Sequence, residues 1–304
     1  MYREHFGLQD LPFGITPDTN FFFDHSTHQE ALNTLLVAVR SGEGFIKVVG
    51  EVGTGKTLLC RKFLDELDRH DFVTAYIPNP YLQPMTLLLA IADELQLPYD
   101  ADSTQHQMLK LLTRHLVDNY ADRKRVVVCL DEAQAMPLET LESLRLLTNL
   151  ETGRRKLLQV VLFGQPELDA RLSEPSVRQL KQRITFACVL RPFVREETEF
   201  YLAHRLGVAG YRGPRLFSRA AVGRLHRAAR GVPRLINILA HKAMLAAFGE
   251  GEPAAVVRHV RLAIADTEPL HRHAELGARL WRYVATLVAS LLLSAGVVVW
   301  GGWV

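Results

Sequence analysis

The first 190 residues alternate between short apolar runs and segments with helical periodicity. Five runs rich in β-branched residues predict strands, and they lie at 45–50, 73–78, 126–131, 157–164 and 184–190. Continuously apolar runs are typical of strands buried on both faces of a parallel sheet. Because helical patterns such as 57–67 and 137–150 separate these runs, we predict an α/β sandwich.

The pattern changes after Arg191, where helical periodicity continues without apolar strand runs. Four amphipathic segments follow one another, at 195–206, 218–229, 233–248 and 253–267. Since no strand pattern separates them, they predict a separate small helical domain.

The composition is that of a folded protein, but the charge is unevenly distributed. Of 304 residues, 48% are hydrophobic and 23% charged, so disorder is not expected. Residues 1–190 carry 20 basic and 25 acidic side chains, a balance of −5, whereas residues 191–283 carry 16 and 8, a balance of +8. The arginine-rich region suits nucleic acid phosphates or anionic lipid headgroups, and composition does not choose between them.

A glycine-rich segment follows the first predicted strand. Its sequence GEVGTGKT, residues 50–57, fits the pattern G-x-x-x-x-G-K-[ST] between a strand and a helix, the context that a phosphate-binding loop requires. The glycines allow backbone N–H groups to point at phosphates, aided by the dipole of the next helix. Lys56 would reach the β- and γ-phosphates, and the Thr57 hydroxyl would hold Mg²⁺. The predicted nucleotide-binding residues are Gly50, Glu51, Val52, Gly53, Thr54, Gly55, Lys56, Thr57, Leu58 and Asp131.

A carboxylate pair ends the third predicted strand, in the sequence VVVCLDEAQ. Asp131 would complete the Mg²⁺ site together with Thr57, and Glu132 is placed to polarise the attacking water as general base. An Asp-Glu pair alone is weak evidence for a nucleotide-hydrolysing site. The evidence becomes strong when one βα unit separates the pair from a phosphate loop. The adjacent glutamate indicates the additional-strand class of P-loop ATPases. The predicted cofactors are therefore ATP and Mg²⁺.

Several motifs together resemble one family. They are HFGLQDLPFGITPDTNFFF, GEVGTGKTLLCR, YIPNP, LDEAQAMP, LRLLTNLETGRRKLLQVVLFGQPELDARL, LKQRITF and GVPRLIN, spread over residues 1 to about 265. On these motifs the chain resembles the AAA+ ATPases of the general secretion pathway protein A (ExeA-like) type, and within them the MshM-type proteins of mannose-sensitive haemagglutinin (MSHA) pilus biogenesis. The resemblance implies a P-loop NTPase of the AAA+ type, with a parallel-sheet core and a C-terminal helical lid. The same core also resembles transposition helper ATPases that act on DNA, so the fold does not settle the function.

The resemblance adds three residues to the catalytic pair formed by the loop lysine and the strand-end glutamate. Gln165, after the fourth strand, occupies the sensor-1 position, where a polar side chain orients the lytic water. Arg183 lies where an arginine finger would reach the ATP of a neighbour in a homo-oligomer, with Arg178 as the rival candidate. Arg234, in GVPRLIN, starts a lid helix and resembles sensor 2, which contacts the γ-phosphate in cis. Plain structural or surface roles are the alternatives for these residues.

The stretch 284–304 carries no charged side chain. About 20 apolar residues cross a bilayer, and aromatic residues flank this stretch at Trp281, Tyr283, Trp300 and Trp303. Arginines precede it and nothing charged follows, so the positive-inside rule predicts a single-pass helix in the inner (cytoplasmic) membrane, with the ATPase domain in the cytoplasm. A buried core helix is the alternative. Secretion-type relatives continue beyond such a segment into a periplasmic domain, so it is either a minimal anchor or the place where a longer protein has been truncated.

These features predict five regions along the chain. They are an N-terminal segment packing on the nucleotide site (1–44), a P-loop ATPase core (45–190), a helical lid (191–268), a basic juxtamembrane linker (269–283) and a transmembrane helix (284–304).

We expect a membrane-anchored ATPase that couples ATP hydrolysis to assembly of a cell-envelope machine, an MSHA-like type IV pilus or a type II secretion system. Its expected partners are further copies of itself, with Arg183 acting in trans, inner-membrane assembly proteins and membrane lipid. Two alternatives stay open: a DNA-associated ATPase of the transposition-helper kind, and a nucleotide-gated scaffold with little turnover.

Overall fold

The computed structural model describes residues 2–24, 27–147, 151–152 and 155–267. In these ranges no helix is long and apolar enough to cross a membrane. The predicted linker (269–283) and transmembrane helix (284–304) lie outside the described residues, so both stay predictions.

The centre of the fold is a five-stranded parallel sheet. Its strands are β1 (Phe45–Gly50), β2 (Phe72–Ile77), β3 (Arg125–Leu130), β4 (Leu158–Gly164) and β5 (Ile184–Leu190). The spatial order is β2-β3-β4-β1-β5, and every neighbouring pair is parallel. The five strands expected from the apolar runs are confirmed, within a residue at each end. Two further strands, Glu151–Thr152 and Arg155–Lys156, pair with each other outside this sheet.

Burial on both faces holds for the inner strands but is wrong for the two edge strands, since β2 exposes Thr74 and β5 exposes one face. In β3 and β4 almost every side chain is buried, as continuous apolar runs predict. In β5 the side chains alternate between partly buried and exposed, and Val189 is 70% exposed. The reason is position, because β5 is an edge strand with one face uncovered along most of its length.

Helices cover both faces of the sheet. One face packs against α4 (Pro84–Glu94), α5 (Gln105–Ala121) and α6 (Leu138–Leu147), and the other against α2 (Thr27–Ser41) and α3 (Lys56–Asp65). Two short helices, α7 (Glu167–Arg171) and α8 (Arg178–Lys181), connect β4 to β5. The α/β sandwich is therefore confirmed.

The C-terminal helical unit consists of four helices without a strand among them. They are α9 (Arg195–Val208), α10 (Arg219–Ala229), α11 (Pro233–Gly249) and α12 (Val257–Thr267), at the positions that the amphipathic segments predict. Buried residues such as Leu206, Leu225, Ile236 and Val260 form its core. Whether this unit acts as a lid stays a prediction.

The N-terminal segment contributes aromatic side chains to that same core. Helix α1 (Tyr2–Phe6) packs against α11, and Phe13, Phe21 and Phe23 are buried among the helical unit. The buried guanidinium of Arg205 on α9 donates a hydrogen bond to the Pro12 carbonyl and lies 4.4 Å from the centre of the Phe21 ring. A buried cation held by a carbonyl and an aromatic face ties this segment to α9.

A close backbone contact joins the end of the sheet to the helical unit. The Phe193 N–H donates to the Gly231 carbonyl over 2.9 Å. Gly231 has φ of +73°, and a Cβ at this position would lie 2.1 Å from the Phe193 carbonyl oxygen. Only glycine combines this backbone conformation with this approach. The contact fixes the turn that precedes α11 against the chain leaving β5.

Candidate active site

The candidate site lies at the carboxyl edge of the parallel sheet. Gly50 ends β1, Asp131 follows β3 and Gln165 follows β4, and these three strands are neighbours. Parallel strands end at a common edge, where α/β proteins bind ligands. Residues that are more than 80 positions apart in the sequence, such as Gly50 and Asp131, therefore meet.

The loop after β1 has backbone geometry that only glycine permits. Gly53 and Gly55 have φ of +81° and +97°. A Cβ at Gly53 would lie 2.9 Å from Cβ of Arg234, and a Cβ at Gly50 would lie 2.7 Å from Thr54 Oγ1. The loop curls tightly and opens the N-terminus of α3, the arrangement that binds phosphate groups.

Lys56, the first residue of α3, points back into this loop. Its side chain is buried, and its Nζ donates to the carbonyls of Gly50 (2.7 Å) and Glu51 (3.1 Å). Burial lowers the pKa of Lys56, while the carboxylates of Glu132 and Asp131 oppose that shift. The ammonium thus lies in the loop that would hold phosphates, close to the acidic side of the site.

Thr57 and Asp131 form the pair expected to hold Mg²⁺. The Thr57 Oγ1 donates to Asp131 Oδ2 over 2.6 Å, and the Tyr76 hydroxyl donates to the same oxygen over 3.3 Å. Burial raises the pKa of Asp131, while hydrogen bonds from Thr57 and from the Glu132 N–H lower it. A nearly buried carboxylate beside a hydroxyl is an oxygen set of the kind that Mg²⁺ prefers, so these residues fit the ion.

The Glu132 carboxylate is held by two glutamine side chains. Gln134 Nε2 donates to Glu132 Oε2 over 2.6 Å, and Gln165 Nε2 donates to the same oxygen over 3.1 Å. Glu132 itself has φ of 54° and ψ of 36°, a left-handed conformation that few non-glycine residues adopt. Such backbone strain is commonest at functional sites, and here it accompanies a carboxylate fixed from two sides.

Gln134 is a site residue that sequence reasoning missed. Its Oε1 accepts the Gln165 N–H over 2.9 Å, and its carbonyl accepts a hydrogen bond from Arg171. A Cβ at Gly164 would lie 3.3 Å from Gln134 Oε1, so the glycine leaves room for the amide. Gln134 therefore connects the ends of β3 and β4, and the signal was present in the motif LDEAQ.

His28 is a second residue that the sequence did not single out. Its Nε2 donates to the Thr54 carbonyl in the phosphate loop over 2.6 Å. Burial lowers the pKa of His28, with the Thr54 hydrogen bond and the Glu197 charge opposing the shift and the Arg191 charge adding to it. A neutral imidazole on α2 thus supports the loop from behind, beside the ring of Phe193.

Arg234 lies against the phosphate loop, and its sensor-2 role stays a prediction. Its backbone N–H donates to the Gly53 carbonyl over 3.1 Å, and its side chain is exposed. The start of α11 therefore touches the loop directly.

Arg183 is not brought to this site within one chain. It directly precedes β5, so it lies at the opposite edge of the sheet, about 20 Å away along the strand. Its guanidinium donates to the Arg145 carbonyl over 3.4 Å. The rival Arg178 is exposed on α8. Arg183 therefore cannot reach the site of its own chain from here.

Comparisons with known proteins agree with this geometry. A family model described as an AAA domain matches residues 39–172. The fold is similar to that of the ORC2 protein of Aeropyrum pernix, at 18% identity and a TM-score of 0.62, covering 83% of this chain and 72% of that one. It is also similar to a Walker-type ATPase of Pyrococcus abyssi, at 15% identity and a TM-score of 0.58, covering 90% and 81%. The fold and the site define a P-loop NTPase of the AAA+ type.

The sequence comparison is more specific. The chain is 42% identical over 303 residues to general secretion pathway protein A of Aeromonas hydrophila, an alignment that covers 100% of this chain and 54% of that protein. By sequence and fold the chain is similar to the ExeA-like AAA+ ATPases, as the motifs imply. The chain spans about half the length of this relative.

Proposed function

We propose that this chain hydrolyses ATP to ADP and phosphate at the carboxyl edge of its sheet. The observation that carries the proposal is the position of Glu132. Its carboxylate is fixed by two amides beside the pair Thr57 and Asp131, and its charge acts on the buried Lys56. A phosphate loop, an oxygen pair for Mg²⁺ and an oriented base together supply what phosphoryl transfer to water requires.

The residues of the candidate site have separate tasks in this reaction. The loop N–H groups and Lys56 bind the β- and γ-phosphates and balance their charge. Glu132 accepts a proton from the attacking water, and its hydrogen bonds from Gln134 and Gln165 aim the carboxylate. Mg²⁺, held by Thr57 and Asp131, would neutralise charge on the β- and γ-phosphate oxygens.

Two substitutions separate binding from hydrolysis. Lys56→Ala removes the cation from the loop, and we expect the Kd for ATP to rise about tenfold or more. Glu132→Gln keeps the shape of the side chain but removes the base, so ATP binding should persist while kcat falls about 100-fold or more. Binding is measured by fluorescence titration with a labelled ATP analogue, and turnover by phosphate release.

Matched controls lie close to both residues. Lys62→Ala removes a lysine from the same helix, where it pairs with Glu66, and Glu139→Gln changes an exposed glutamate of α6. Both controls should bind and hydrolyse ATP as the wild type does. Full turnover by Glu132→Gln would remove the base from the mechanism, and tight ATP binding without turnover by the wild type would favour a nucleotide-gated scaffold.

We also propose that the chain serves assembly of a cell-envelope machine while anchored in the inner membrane. Its 42% identity to a protein named for the general secretion pathway supports a secretion role. The uncharged stretch 284–304 supports the anchor. The motifs shared with MshM-type proteins support an MSHA-like pilus as the machine.

The anchor is tested by fractionation of cells that express the full chain. We expect the protein to stay with membranes through high-salt and carbonate washes, because a membrane-spanning helix satisfies its backbone hydrogen bonds internally. Replacing Leu291 and Leu292 with arginine should release it, since charge at mid-membrane costs about 3 kcal/mol per residue. Release of the unchanged chain by salt alone would contradict a transmembrane anchor.

We further propose that Arg183 completes the site of a neighbouring copy. Its place at the opposite edge of the sheet supports a role in trans. Arg183→Ala should therefore bind ATP normally but lose turnover, and mixing it with Lys56→Ala should restore part of the activity because each supplies what the other lacks. Turnover per chain that does not change with protein concentration, in a strict monomer, would rule this out.

A further inference from the structure

An arginine-lined cavity lies in the helical unit, apart from the nucleotide site. Its volume is about 680 Å³, and it opens between the start of α9, the middle of α10 and α12. Arg195, Arg224, Arg227 and Arg261 line it, together with His226. None of its lining residues belongs to the phosphate loop or to the strand ends that form the candidate active site.

None of the four cavity arginines has an ion-pair partner among the described residues. Elsewhere in the unit Arg191 pairs with Glu197, Arg215 with Glu199, and Arg258 with Glu250 and Glu252. No comparable carboxylate contact exists within the described chain for the cavity arginines. Four guanidinium groups that line one cavity without ion-pair partners repel one another, and an anion between them reduces that repulsion.

The protein positions at least two of these guanidinium groups. Arg195 lies over the face of Gly223 on α10, where a Cβ would approach its guanidinium to 3.4 Å. Arg227 Nε donates to the Gly223 carbonyl over 3.2 Å, which leaves its terminal nitrogens for another partner. A small residue and a backbone carbonyl thus arrange two cations from different helices around one point.

His226 has a defined partner at the cavity wall. Its Nδ1 lies 2.9 Å from Thr198 Oγ1. Burial lowers the pKa of His226, the Arg195 charge adds to this effect and the Glu196 charge opposes it. The four arginines are the charged side chains that line the cavity beside this ring.

We propose that this cavity binds a ligand that presents phosphate groups. Guanidinium groups match phosphate oxygens with paired, charge-assisted hydrogen bonds, and several of them around one concave site suit a compact, multiply charged anion. The source is either a phospholipid headgroup or a free phosphate compound, since both present the same oxygens. The site is independent of the proposed ATP hydrolysis, because the two share no residue.

The test is a titration of the full chain in neutral detergent, with Mg-ADP at saturating concentration to fill the phosphate loop. The probe is inorganic pyrophosphate, and binding is followed by calorimetry. Arg224→Ala with Arg261→Ala removes one guanidinium from each of two helices. We expect the pyrophosphate affinity to fall about tenfold or more, as loss of charge-assisted hydrogen bonds requires.

A matched control removes the same charge from elsewhere in the unit. Arg212 and Arg219 are exposed and do not line the cavity, so Arg212→Ala with Arg219→Ala should change the affinity less than about twofold. Arg224→Lys with Arg261→Lys keeps the charge without the paired donors, and it should bind with intermediate affinity. A drop that is equal in the cavity pair and the control pair would overturn the proposal, as would wild-type chain that binds no pyrophosphate.

A second arm identifies the source. Dihexanoyl phosphatidylglycerol, used below its micelle concentration, should compete with pyrophosphate if the ligand is a lipid headgroup and should not compete if it is a free phosphate.

Duplex DNA is the third probe. If DNA binds and pyrophosphate does not, and both arginine pairs weaken DNA equally, the arginines form an extended nucleic-acid surface and the cavity site is wrong. If ADP does not fill the phosphate loop, pyrophosphate can bind there instead. Its affinity at that loop would be the same in the wild type and in the variant that lacks Arg224 and Arg261. Failure of the proposed nucleotide site is therefore distinguished from failure of the cavity site.

Discussion

The parallel pairing of β3, β4 and β1 is the constraint on which the rest of this site depends. Leu130 pairs with Leu162, and Val49 pairs with Gly164, so the three strands end within a residue or two of one another. The phosphate loop, the acidic pair after β3 and the amide of Gln165 meet for that reason alone. Antiparallel neighbours would send one of these groups to the far edge.

The helical unit contacts the site through the backbone as well as through side chains. The Arg234 N–H donates to the Gly53 carbonyl, and a Cβ at Gly53 would clash with the Arg234 side chain. On the other side, His28 supports Thr54 while its ring contacts Phe193, at the junction with the helical unit. Rotation of the helical unit would therefore move the phosphate loop.

The sequence predicts most of the fold because its signals are local. Apolar runs mark the strands, and the motif GEVGTGKT marks the loop with the correct register. The exposed face of β5 could not be predicted in this way. The order of the strands in the sheet decides which strands lie at its edges, and the residues of β5 do not indicate that order. Gln134 and His28 could not be predicted for a similar reason. Their roles arise from hydrogen bonds to Glu132 and Thr54, and an amide or an imidazole has no spacing rule that reveals such a partner.

The central claim is that Glu132 acts as a base that two glutamines aim. It is tested most directly by single-turnover hydrolysis of saturating Mg-ATP by Gln134→Ala and Gln165→Ala, with Gln179→Ala, an exposed glutamine of α8, as control. The account predicts that each of the first two slows the chemical step about tenfold or more, while the Kd for ATP changes less than about threefold and the control is unaffected. Because both amides bind the same carboxylate oxygen, the double variant should lose less than the product of the two single effects. Wild-type rates in both single variants, or a loss of rate that is fully explained by lost ATP binding, would contradict the claim.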